Sequence, residues 1–148
     1  MKIAIKEVGK ELRVVDVDER YERACVKKFT GQDDPVEFVP LNDEGTFYIG
    51  VNENGLPLEL PVNFLLGVDN PYYPIQKMVG TVVFVRHKYV NPWLEEIWDF
   101  EIEDLTDDDM RLIEKILSPE YQNSLAERFI DYGKGSFVME KIFQRRRK

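Results

Sequence analysis

Basic residues are almost missing from the middle of this chain. Between positions 31 and 110 there are three, Lys77, Arg86 and Lys88, against 17 aspartates and glutamates, a net charge of −14. The first 30 residues carry +2 and residues 111–148 carry +4, so the 148-residue chain stands at −8. A field of one sign over so long a block governs which partners can approach and leaves the fold open. It argues against this block gripping nucleic acid and leaves room for a basic partner.

Other absences exclude specific chemistries. Cys25 is the only cysteine, so an internal disulfide is impossible, which fits a reducing compartment. His87 is the only histidine, so a zinc site would need unusual ligands. A Cys25–His87 nucleophile pair is formally available. Cys25, however, falls on the apolar face of an expected helix and reads as a small core side chain, and His87 reads as a surface histidine after a strand. The three serines, at 118, 124 and 136, include none in a Gly-x-Ser-x-Gly turn. Gly133-Lys134-Gly135-Ser136 has the letters of a phosphate loop, but its spacing is wrong and it follows a helix. No apolar run approaches the roughly 20 residues that span a bilayer. Met1–Lys6 is broken by charge too early for a signal peptide. The expectation is a soluble, cytoplasmic protein without a membrane contact, cofactor or metal.

What is present is globular. Hydrophobic residues make up 43% and aromatics 12%, and a single domain over 1–148 buries roughly 68–70% of its unfolded surface. Ile3, Ile5 and Val8 alternate with polar neighbours, and Gly9-Lys10 turns into a second strand over Leu12–Val17. Glu19–Phe29 reads as a short helix with Asp18 as N-cap. Val36–Leu41 and Thr46–Val51 read as a hairpin, followed by an Asn52–Gly55 turn. Leu56–Pro61 reads as extended because of its prolines, and Asn63–Gly67 as one helical turn. Met78–Arg86 is the most continuous apolar run and the candidate central strand, buried on both faces. Thr106 with Asp109 forms a capping box with Asp in place of Glu, opening a helix with Leu112, Ile113, Ile116 and Leu117 on its apolar face. Ser118-Pro119 restarts a helix that Gly133 ends, and Ser136–Phe143 reads as a last strand. The fold class is α+β: a mostly antiparallel sheet with about three helices packed on one face.

Glu95 to Asp109 holds nine acids and no base. Asp107, Asp108 and Asp109 suit the first turn of a helix, where the macrodipole favours acids. Glu95, Glu96, Asp99, Glu101, Glu103 and Asp104 are the candidate partner-binding surface, steered over long range and weakened by salt. A second candidate is a ligand pocket near Asn52, Asn63, Tyr72 and Tyr73, of a kind that suits a nucleotide. Asn52 and Asn63 are as well suited to bracing a loop through amide–backbone bonds. A metal-dependent enzyme using carboxylates is the third reading. The tail Arg145–Lys148 reads as a solubilising end.

One order of motifs is familiar. It runs from Glu7 and Gly9 through Val36-Glu37-Phe38-Val39-Pro40-Leu41 to Val51-Asn52-Glu53-Asn54-Gly55. It continues with Leu60-Pro61-Val62-Asn63 and Val79-Gly80-Thr81-Val82-Val83-Phe84, then Asp99–Leu105 before Thr106. Over about residues 1–117 the chain resembles a family of small proteins from phages, plasmids and their bacterial hosts, catalogued only as a domain of unknown function. Residues 118–148 then form a helical extension and basic tail. The resemblance marks Asn52, Glu53, Gly55, Asn63 and Gly80. It implies a mobile-element accessory protein, and with the acidic surface it gives the leading expectation: a non-enzymatic protein that binds a host protein with a basic surface, in its sharper form a counter-defence inhibitor.

Overall fold

The computed structural model describes residues 1–67, 75–89 and 99–135, with 129–135 in backbone only. Among the described residues, eight strands and three helices follow in the order β1 (Lys2–Lys6), β2 (Arg13–Asp16), α1 (Glu22–Thr30), β3 (Val36–Pro40), β4 (Phe47–Asn52), β5 (Val62–Leu66), β6 (Gln76–Val79), β7 (Val82–His87), β8 (Ile102–Glu103), α2 (Asp107–Leu117) and α3 (Pro119–Gly135). The main sheet runs β2-β1-β7-β4-β3, every pairing antiparallel, and β8 adds to β7 beyond the end of β1. β5 and β6 form a separate two-stranded sheet. The class is the expected α+β, mostly antiparallel sheet with three helices.

β7 organises both cores because side chains alternate along a strand. Val82 and Phe84 enter one cluster with Phe47, Ile49, Phe64, Ile113 and Ile116. Val83 and Val85 enter the other with Ile3, Ile5, Cys25, Val26 and Ile102. The β5–β6 hairpin, α2 and α3 therefore share one side, while α1 covers the opposite face, which corrects the expectation of three helices packed on one face: Val83 and Val85 of β7 point away from α2 and need a cover of their own.

Four local readings change. The Met78–Arg86 run is two strands, because Gly80 sits at φ +72. Asn63–Leu66 is strand β5, paired with β6 through a register shift at Val62/Phe64, instead of a helical turn. Leu56–Glu59 is turn structure; carbonyls of Asn54, Leu56 and Gly55 accept from the amides of Leu58, Glu59 and Leu60 and curl the segment despite its prolines. Helix α1 starts at Glu22 with Tyr21 as N-cap and no side-chain cap of its own, so Asp18 lies outside it. By contrast, the Thr106–Asp109 capping box and the Ser118 cap on the Tyr121 amide are present as read. The reading of Ser136–Phe143 as a strand lies outside the described residues.

Candidate functional site

The C-terminal end of β7 places two polar residues side by side, and strand geometry sends them to opposite faces. Each meets the buried acid at the start of a helix.

Arg86 reaches Asp109, the third residue of α2, in a bidentate pair: Nε to Oδ2 at 2.6 Å and Nη2 to Oδ1 at 2.7 Å. Its Nη1 donates to Thr46 Oγ1 at 3.0 Å, and Asn42 completes the network through its own bond to that hydroxyl. Asp109 also accepts the Thr106 amide. Burial alone would raise the Asp109 carboxyl, but the Arg86 and Thr106 hydrogen bonds outweigh it and hold the group below its ordinary value. Charge-assisted forks of this kind are the stronger hydrogen bonds in proteins.

His87 turns the other way and is 2% exposed, as is its partner Glu22, the first residue of α1. Nδ1 lies 2.8 Å from Glu22 Oε2, and Nε2 lies 2.8 Å from the Gly45 carbonyl oxygen. The imidazole stacks on Phe100 at 4.2 Å and lies against Tyr48 at 4.8 Å. A carbonyl oxygen only accepts, so Nε2 carries a hydrogen. A second proton must lie between Nδ1 and the carboxylate. The dyad is therefore neutral overall, as imidazolium–carboxylate or as imidazole–carboxylic acid. Desolvation pushes the Glu22 carboxyl up, with the His87 bond opposing it. The expectation of a surface histidine is thus corrected: β7 and β4 carry His87 under α1. Cys25 is in the core as read, its thiol raised by burial to about 11. A thiol in that state supplies no thiolate at neutral pH.

The proposed partner acids divide by role. Asp99 Oδ1 accepts the amides of Arg23 and Phe100, at 3.1 and 2.9 Å, and so caps α1 from a distant segment. Glu101 is held by Arg20 and by Lys88, the latter at 3.0 Å. The Lys88 and Arg20 hydrogen bonds lower its carboxyl below the ordinary value. Asp104 Oδ1 accepts the Lys2 amide at 2.7 Å. Glu103 differs. Among the described residues it makes no ion pair, and it faces Arg86 across the β7–β8 ladder. Glu44 also lies within the field of Arg86, whose fork is already filled by Asp109. Asp107 and Asp108 follow at the start of α2, Asp108 in an exposed pair with Arg111. Glu95 and Glu96 lie outside the described residues.

The proposed ligand residues are internally engaged. Asn52 donates to the Thr30 carbonyl and to Asp34, at 3.1 and 2.9 Å, and accepts from the Asn54 amide at 2.8 Å. Asn63 donates to the Lys6 and Gly80 carbonyls, at 2.7 and 2.8 Å, and accepts from Lys6 Nζ at 3.3 Å. Both amides act as braces, with no donor left over for a ligand. Tyr72 and Tyr73 lie outside the described residues. A shallow basin of about 500 Å³ opens between the β1–β2 turn and α2, with Lys6, Lys10, Glu11 and Glu114 on its walls. Its amines and carboxylates balance, so it selects no ligand charge. No group of three or more metal-binding side chains occurs among the described residues. No described helix is long and apolar enough to cross a membrane.

Sequence reasoning missed Glu22, Arg86 and Asp34. The available signal was the polar pair Arg86-His87 closing an otherwise apolar strand, since a charge adjoining a core strand needs a partner. No family model matches the chain, and no curated protein or solved structure matches it.

Proposed function

We propose that this chain is a non-enzymatic binding protein whose partner is a protein with a basic surface. The observation that carries the reading is the uncompensated charge at the β8–α2 edge. Glu103, Glu44 and Asp107 have no ion-pair partner among the described residues; the Arg86 guanidinium near Glu103 and Glu44 is committed to Asp109, and the Arg111 guanidinium near Asp107 is paired with Asp108. Such a rim attracts a basic partner over about a Debye length, roughly 8–10 Å at ordinary salt. The resemblance to mobile-element proteins favours a partner from a bacterial host, with a counter-defence inhibitor in the cytoplasm as the sharper form of the proposal. The buried, hydrogen-bonded state of His87 and the buried thiol of Cys25 support the non-enzymatic part of the reading.

A tagged pull-down from bacterial lysate at low and high salt tests it. A stoichiometric protein partner that is lost at high salt, and lost with Glu103→Lys/Asp107→Lys at low salt, supports the reading. A partner indifferent to both salt and charge reversal contradicts it. Glu101 and Asp104 are left unaltered because they hold Arg20, Lys88 and the Lys2 amide.

A further inference from the structure

Residues 53–60 form a loop whose backbone is held at most positions while the side chains of Leu56 and Leu58 face outward. Gly55 N–H donates to the Asn52 carbonyl at 3.1 Å, Leu58 to Asn54 at 2.9 Å, Glu59 to Leu56 at 3.0 Å and Leu60 to Gly55 at 3.0 Å. Asp34 ties in the side chains of both Asn52 and Asn54. Beyond the loop, the Pro61 carbonyl accepts the Gly80 amide at 2.8 Å. Leu60 packs inward over Gly80, where a Cβ would come within 2.8 Å of it. Glu59 takes φ +57, a conformation that side chains other than glycine rarely adopt. The outcome of this bracing is that Leu56 is 68% exposed and Leu58 54% exposed. Single exposed leucines are ordinary. Two on one tightly bonded turn, with a left-handed glutamate closing it, form a pre-organised apolar projection.

Its neighbours in the sequence are acidic. Glu53 and Glu59 flank the leucines and are exposed. No lysine or arginine occurs between positions 31 and 76, where eight acids stand. We propose that Leu56 and Leu58 are the apolar anchor of the partner interface, inserted into a cleft of a partner protein whose rim carries lysine or arginine. The charge flanking the loop selects that rim and disfavours an anionic lipid surface. A loop already ordered loses little freedom on docking, which is how rigid anchors gain affinity. The inference rests on the basic-partner reading and adds the part of the surface that contributes apolar contact.

The test pans a displayed library of random peptides against the full chain. The affinity of the enriched peptides is then measured for the parent, for Leu56→Ser/Leu58→Ser and for Glu103→Lys/Asp107→Lys. The proposal expects enriched peptides that combine Lys or Arg with large apolar residues. They should lose at least about tenfold in affinity on Leu56→Ser/Leu58→Ser, with a melting temperature near the parent's because both sites are exposed. Peptides bound within twofold by the serine variant overturn it. If those peptides still weaken with Glu103→Lys/Asp107→Lys, the basic-partner reading survives without the anchor; if neither variant matters, both fall. Failure to enrich any peptide overturns the anchor. So does leucine-dependent dimerisation in sedimentation, which would make the occupant a second copy. Leucine-dependent binding to phosphatidylglycerol vesicles overturns it as well.

Discussion

Glu22 and His87 form the most constrained pair of side chains described. The pair needs two protons among Nδ1, Nε2 and the carboxyl, and each heavy atom involved is enclosed. Removing one partner leaves the other buried and unpaired, which costs about 3–5 kcal/mol for charged pairs. Glu22→Ala should therefore destabilise the fold by about that amount in urea unfolding. Glu22→Gln should cost much less, about 1–2 kcal/mol, because the glutamine amide donates to Nδ1 while Nε2 keeps its bond to Gly45. Equal losses for the two variants would contradict the proton arrangement. Asp109 gives the pH counterpart. Its folded carboxyl lies below the ordinary 3.8, so its stabilisation is present above that value and is lost as pH falls through the lower folded value. Asp109→Asn should lower stability by about 3 kcal/mol at neutral pH and flatten the acid limb below about pH 4, read by unfolding at a series of pH values.

At the scale of elements, helix ends explain how the acidic segment before α2 is used. Tyr21 offers no cap, and Asp99 supplies one to Arg23 from the segment leading into β8. Asp99→Ala should cost about 1 kcal/mol, and Asp99→Asn only a fraction of that, in thermal unfolding. Gly80 separates β6 from β7 at φ +72, so Gly80→Ala should cost about 1–2 kcal/mol. The elements that could be read in advance are those with local causes. The capping box at Thr106, the Ser118 cap, the alternation in β1 and the continuous apolar run of β7 each depend on residues a few positions apart. β5 and α1, whose sequences point elsewhere, depend on distant partners. β5 is a strand because β6 pairs with it, and α1 starts late because Phe100 and Asp99 take up the amides of Glu22 and Arg23. His87 meets Glu22 across 65 residues, a distance at which periodicity carries no information. The acidity of positions 95–109 was plain in the sequence. The division of its described members into a cap, ion-paired groups and an uncompensated rim was not.

At the scale of the whole molecule, β7 is the axis. Its alternating side chains fill two cores, and its last two residues fasten one helix on each face through buried acids. Glu103, Glu44 and Asp107 stand clear of those buried pairs, and Glu53 and Glu59 stand exposed on the loop after β4, on a scaffold braced by Asn52 and Asn63. The central claim is that this charge recruits a basic protein. The most direct measurement is the dissociation constant of the recovered partner, titrated against salt for the parent and for Glu103→Lys/Asp107→Lys. Affinity that falls steadily with salt for the parent, and a weaker, flatter dependence for the variant with its fold retained, is the result predicted here. Affinity that is independent of salt and identical for both proteins would contradict it.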